Sequence, residues 1–130
     1  MTGGFLLDTQ ALLWLLAGDR RLSRAARQVI LKEESRLAVS VASAWEIVLK
    51  HRAGKLQLEV DLGEVLDVIL HQSYWNVLPI AGAHIAALSE LPPLHQDPFD
   101  RILVAQAMVE GLSILTADRE IGRYAVATVW

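Results

Sequence analysis

Residues 4–18, GFLLDTQALLWLLAG, read as a strand and a helix joined without a loop. Gly4 to Leu7 is a short apolar run that stops at Asp8. Thr9 can then cap a short helix that closes near Gly18. The same figure recurs along the chain. Leu37 to Val41 reads as a strand, with Glu46 one turn into the helical segment after it. Ser113 to Leu115 reads as a strand that gives way to Thr116-Ala117-Asp118, and Asp100 lies just inside a helix opened by Asp97-Pro98. Strands separated by helices imply a parallel sheet covered on both faces, so the fold class is α/β.

The remaining elements fit that alternation. Ser23 caps a helix over roughly 24–34. A helix from about Ala44 to Ala53 has Gly54 as its stop. Asp61 with Glu64 three residues on resembles a capping box for a helix to about Gln72. Trp75 to Ile80 is a strand and Ala83 to Glu90 a short helix. Leu91-Pro92-Pro93 is loop. Pro98 to Glu110 is a helix closed by Gly111, and Val126 to Val129 is a last strand. No repeat, low-complexity tract or long linker divides the 130 residues, which form one domain with 53% hydrophobic content.

Four acids, Asp8, Glu46, Asp100 and Asp118, therefore stand at or just beyond strand ends, where ligands gather in open α/β sheets. Each has a bland reading as a helix cap. Ser43-Ala44-Trp45-Glu46 fits a capping box, and Asp97 fits an N-cap before proline at the first helical position. As a set they ask for more. Two carboxylates about 5 Å apart repel by roughly 3 kcal/mol at an effective dielectric near 20, against a net stability of roughly 5–15 kcal/mol for a domain. Such clusters persist when a cation neutralises them or some members protonate. All-oxygen ligands favour magnesium, calcium or manganese over zinc. Thr9, Ser43 and Thr116 accompany the acids and can hydrogen-bond carboxylates or bound water, or cap helices. Asp97 is a fifth acid three residues before Asp100. Lys50, Arg52, Lys55 and Arg101 are cations near the acids that suit phosphate contact or a solvated face. The four tryptophans read as core.

Composition removes several classes. The chain has no cysteine, hence neither disulfides nor thiolate metal sites. Apolar stretches such as Ala11 to Ala17 and Leu37 to Trp45 fall far short of the roughly 18–20 residues of a membrane span. Asp8 interrupts the first apolar run, which argues against a signal peptide and for a soluble, cytoplasmic protein. Net charge is −3, from 12 basic and 15 acidic residues. Without the four acids the balance is 12 against 11, so net charge does not exclude a nucleic-acid substrate.

The runs Leu6-Leu7-Asp8-Thr9, Ser43-Ala44-Trp45-Glu46-Ile47, Gly54-Lys55-Leu56, His95-Gln96-Asp97-Pro98-Phe99-Asp100-Arg101-Ile102-Leu103-Val104-Ala105-Gln106-Ala107 and Leu115-Thr116-Ala117-Asp118 together resemble the PIN domain. More narrowly they are similar to the VapC-type toxins of bacterial toxin–antitoxin pairs. The resemblance covers nearly the whole chain in order, and Asp-Pro-Phe-Asp-Arg is its most specific part. It implies a three-layer α/β/α sandwich with a central parallel sheet of four to five strands. It implies a ribonuclease dependent on Mg2+ or Mn2+, with the acidic quartet at Asp8, Glu46, Asp100 and Asp118. Asp8 and Asp100 would hold the principal metal, and Glu46 and Asp118 would complete its surroundings. A cognate antitoxin and a homodimer are further implications. For a partner groove or dimer contact, the stripe of Leu62, Leu66 and Ile69 is a candidate, and core is its alternative. Relatives commonly carry His after Asp-Thr, where this chain has Gln10.

Three other readings compete. A phosphorylated receiver domain wants an acidic pair directly after its first strand, and Leu7-Asp8-Thr9 supplies one acid. A haloacid-dehalogenase-like phosphatase wants Asp-x-Asp there, and position 10 is Gln. A catalytically silent PIN module acting through protein contacts is the third.

Overall fold

The structure, a computed structural model, describes residues 3–130. In chain order the elements are β1 (Gly4–Leu7), α1 (Thr9–Ala17), α2 (Arg24–Leu31), β2 (Arg36–Ser40), α3 (Val41–Arg52), α4 (Leu62–His71), β3 (Asn76–Leu78), α5 (Gly82–Ser89), α6 (Pro98–Glu110), β4 (Leu112–Leu115), a 3-10 turn at Ile121–Arg123 and β5 (Thr128–Val129). The five strands form one sheet in the order β3-β2-β1-β4-β5, and every pairing is parallel. The chain winds outward from β1 through β2 to β3, then crosses back to β4 on the other side. The strand order thus reverses beside β1, and the crevice at the carboxyl ends of β1 and β4 is the topological switch point where such sheets bind ligands.

Both faces of the sheet are covered, which explains why its strands read as unbroken apolar runs. Successive residues of β1 point to opposite sides. Leu6 joins Ala38, Ile114, Leu103 and Val104 in a core shared with α6. Leu7 joins Val39, Leu115, Leu12, Ile47 and Ile69 in a second core shared with α1, α3 and α4. Leu7 is level with Val39 and Leu115, so the carboxyl ends of the three central strands finish together. The result is the expected α/β/α sandwich. Helix α6 ends at Gly111, whose φ of 69° is left-handed backbone that glycine adopts without strain.

Several boundaries differ from the sequence expectation, each for a local reason. Helix α3 begins at Val41, not Ala44, because Ser40 ends β2 and caps the helix at once: its hydroxyl accepts from Ala42 N at 3.0 Å. Glu46 consequently lies in the second turn, beyond the reach of a capping box. Asp8, not Thr9, caps α1. Strand β3 stops at Leu78, before Pro79, which has no N–H to give a ladder. Strand β5 is reduced to Thr128–Val129, and α2 closes at Leu31. The stripe on α4 is core: Ile69 is fully buried, and Leu62 and Leu66 pack against the same cluster.

Candidate metal centre and nucleic-acid interface

Asp8 follows β1 directly and is nearly fully buried. As N-cap of α1 its Oδ1 accepts from Ala11 N at 2.7 Å, while Oδ2 accepts from the Thr116 hydroxyl at 2.5 Å across the switch point. Burial pushes its carboxyl up to about 6, the charges of Asp118 and Glu46 add to this, and the two hydrogen bonds oppose it. Thr116, at the end of β4, also accepts from Asp118 N at 2.9 Å, so one hydroxyl fixes both acids. Asp118 in turn accepts from Glu120 N at 2.8 Å, a local turn leading to the 3-10 segment. Thr9 and Ser43 do not reach the carboxylates as the sequence suggested. Thr9 donates to Ser43 at 2.9 Å, because both face the buried seam between α1 and α3.

Asp97 caps α6, accepting from Phe99 N at 2.9 Å and Asp100 N at 3.1 Å, with Pro98 at the first helical position. That places Asp100 in the first turn. Burial pushes the Asp100 carboxyl up to about 7, with Asp97 the largest contributing charge and Asp118 and Glu46 adding to it. His95 works against this: its Nε2 lies 3.3 Å from Asp100 Oδ2. The Tyr124 hydroxyl accepts from Arg101 at 3.0 Å and lies 2.8 Å from His95 Nδ1, so its own hydrogen goes to Nδ1. With Nδ1 held by the tyrosine, Nε2 is the ring nitrogen turned toward the carboxylate. The chain of contacts Arg101–Tyr124–His95–Asp100 is a feature of the cleft's edge that sequence reasoning did not assemble. Its only local signal was a histidine five residues before an acid, and the tyrosine that orients it comes 29 residues later.

Glu46 is 4% exposed on α3. One carboxylate oxygen, Oε2, is paired with the Lys50 ammonium one helical turn on. The other, Oε1, is buried with no hydrogen-bond partner among the described residues. Glu46 and, to a smaller degree, Asp97 and Asp100 hold the Lys50 ammonium protonated above its usual range. Gly54, with a φ of 74°, turns the chain after α3 ahead of Lys55, which also lines the cleft.

These side chains line a cleft of about 440 Å³, which gathers Asp8, Glu46, Asp97, Asp100 and Asp118 with Lys50 and Lys55, over an apolar wall of Leu13, Trp14, Ile47 and Leu56. Two of the cations singled out in the sequence lie elsewhere. Arg52 is exposed beyond the cleft lining. Arg101 is not a free phosphate contact: its guanidinium donates to Pro92 O at 2.9 Å, and to Leu91 O, His95 O and Tyr124, pinning the 91–95 loop.

As the side chains stand, no three acidic or histidine groups among the described residues close tightly enough to enclose an ion. The donor set nevertheless fits a hard divalent cation. Its available ligands are carboxylate oxygens, and Glu46 Oε1 is a buried anionic acceptor with nothing donated to it. Asp8, Glu46, Asp100 and Asp118 are the residues that could hold such an ion, with Asp97 beside them.

Comparison with known proteins agrees with this architecture. The PIN domain matches residues 5–127. Ribonuclease VapC22 of Mycobacterium tuberculosis is 30% identical over 129 residues, covering 96% of this chain and 97% of the relative. Among solved structures, VapBC2 from Rickettsia felis bound to a promoter DNA fragment superposes with a TM-score of 0.71 at 15% identity, covering 97% of each chain. FitAcB from Neisseria gonorrhoeae gives 0.67 at 20% identity, over 97% of this chain and 96% of that one. At those identities the structures speak for the fold. With the family match over almost the full length and the VapC relative beside it, this chain belongs to the PIN domain family and is of the VapC type.

Proposed function

We propose that this protein is a divalent-metal-dependent endoribonuclease, the toxin of a type II toxin–antitoxin pair. The observation that carries the reading is the convergence of acids from four separate segments on one cleft at the switch point, with the buried Glu46 Oε1 unpartnered. The VapC relative, itself named a ribonuclease, supports the choice of substrate. Asp8 and Asp100 would hold the principal Mg2+ or Mn2+, and Glu46 and Asp118 would complete its surroundings. When bound, the ion supplies Lewis acidity to the scissile phosphate and to the attacking water. The chain's own part is placement. Thr116 orients Asp8 and the Asp118 backbone together, and His95 fixes the Asp100 carboxylate. Lys50 and Lys55 offer positive charge to the RNA backbone, while the apolar wall limits water.

A cognate antitoxin is the expected partner, since the fold is shared with a toxin–antitoxin complex from Klebsiella pneumoniae. A groove lined by Leu16, Leu58 and Val60 shares Leu13, Trp14 and Leu56 with the acidic cleft. An amphipathic antitoxin helix seated there would carry an arginine to the carboxylates. Val41, Trp45 and Leu49 form an exposed stripe on α3, with Trp45 packed edge-on to Phe99 at 5.0 Å, and we assign that stripe to a homodimer contact. No helix among the described residues is long and apolar enough to cross a membrane, and we place the protein in the cytoplasm.

The reading is tested by incubating a labelled RNA pool with pure protein in Mg2+, in Mn2+ and in EDTA, beside Asp8→Asn. Cutting that needs metal and is lost in the variant is the expected result. A folded wild type that cuts no RNA with either ion would sink it.

A further inference from the structure

We propose that Lys50 is the resident counter-cation of the acidic cleft, which a divalent ion displaces from Glu46 and which then contacts a phosphate of the bound RNA. The inference rests on the reading of the cleft as a metal centre and goes beyond it by assigning a two-position role to one side chain.

The geometry sets up this exchange. Glu46 is a buried carboxylate with two unlike oxygens: Oε2 carries the Lys50 ammonium and Oε1 carries nothing. A helix cap takes fixed partners, as Asp97 Oδ1 accepts from two backbone amides. Glu46 is instead half-satisfied by a group on a long, flexible stem. The two partners differ sharply in freedom, since the Glu46 side chain is 5% exposed and that of Lys50 is 46% exposed. The carboxylate is therefore held in place while the ammonium can leave for solvent without unpacking the helix. Lys50 also feels Asp97 and Asp100, so it serves the cluster as a whole in the absence of a metal.

A divalent ion brings twice the charge to the same oxygens and makes the ammonium a like-charge neighbour. The ion pair is then replaced by repulsion, and the freed Nζ remains on the cleft lining, available to a phosphate. Neutralising the pair in this way keeps the empty cleft from accumulating charge, and it couples metal arrival to the exposure of a phosphate contact.

The test is Mn2+ titration calorimetry on the full chain, comparing wild type with Lys50→Met and Lys50→Gln, each checked for native circular dichroism. Loss of the competing cation is expected to tighten Mn2+ binding by roughly threefold to tenfold. General damage to the site would weaken it. In Ca2+, with the RNA checked on gels to remain uncut, the salt dependence of RNA binding is compared with and without Lys50→Met. One lost phosphate contact lowers the slope of log affinity against log salt by roughly 0.7. A wild type that binds Mn2+ while both Lys50 variants bind it equally or more weakly overturns the exchange and leaves the metal centre standing. An unchanged salt slope overturns the phosphate contact. A wild type that binds no Mn2+ overturns the reading of the cleft and the exchange with it.

Discussion

Asp8 shows how a residue can be placed against its own stability. Burial raises its carboxyl from an ordinary 3.8 to about 6. The native state therefore keeps a proton that the unfolded chain releases between those values. The contribution of Asp8 to metal-free stability is accordingly greatest below 3.8 and is lost as pH rises through about 6, by at most about 3 kcal/mol. Thermal melts in EDTA are expected to fall across that window, and Mn2+ is expected to raise the melting temperature more at pH 7.5 than at pH 5.5. Asp8→Asn should flatten the EDTA profile and stabilise the metal-free protein near neutral pH, while abolishing cleavage. A metal-free melting temperature that rises from pH 4 to pH 7 would contradict this. At Asp100, removal of the histidine that orients the carboxylate, His95→Ala, is expected to weaken Mn2+ binding by roughly tenfold to a hundredfold. Tyr124→Phe should give a smaller loss in the same titration, since it frees the ring without deleting it. Asp8, Glu46 and Asp118 were legible as candidates because each follows a short apolar strand, and Asp100 because Asp97-Pro98 opens its helix. His95 was not, because its role depends on a tyrosine hydroxyl 29 residues away.

Among the elements, α3 serves two surfaces, contributing Glu46 and Lys50 to the site on one side and the exposed Val41–Trp45–Leu49 stripe on another. Its abrupt start matters. Ser40 is at once the last residue of β2 and the cap of α3, so Glu46 is set by the sheet edge and not by a flexible loop. Ser40→Ala should cost about 1 kcal/mol in denaturant unfolding, with a loss of Mn2+ affinity if the register of Glu46 depends on the cap. The sequence concealed this because Ser43-Ala44-Trp45-Glu46 imitates a capping box three residues too late. By contrast, the Asp97-Pro98 start and Gly111 stop of α6 were readable, since proline and left-handed glycine leave little choice of conformation. Strand β5 was overestimated because its Val-rich stretch pairs over only two residues, at a sheet edge where hydrophobic pattern constrains length weakly.

At the scale of the whole molecule, the topology produces the site. Winding β1-β2-β3 to one side and β4-β5 to the other opens a crevice beside β1 and brings Asp8 and Thr116, 108 residues apart, into hydrogen-bond contact. The parallel sheet was legible from the alternation of elements, whereas the strand order, which decides where the crevice opens, has no local signature. The same scale governs assembly. Trp45→Asp on the exposed stripe is expected to shift a homodimer to monomer in light scattering, with the fold retained; an unchanged mass would remove α3 as the contact. The central claim, that the converging acids form a divalent-cation centre, is tested most directly by anomalous diffraction from crystals grown with Mn2+. A manganese peak in the cleft bonded to Asp8 and Asp100, and lost in Asp8→Asn, is the expected result. A well-ordered cleft without a peak, at Mn2+ concentrations that support RNA cleavage, would contradict it.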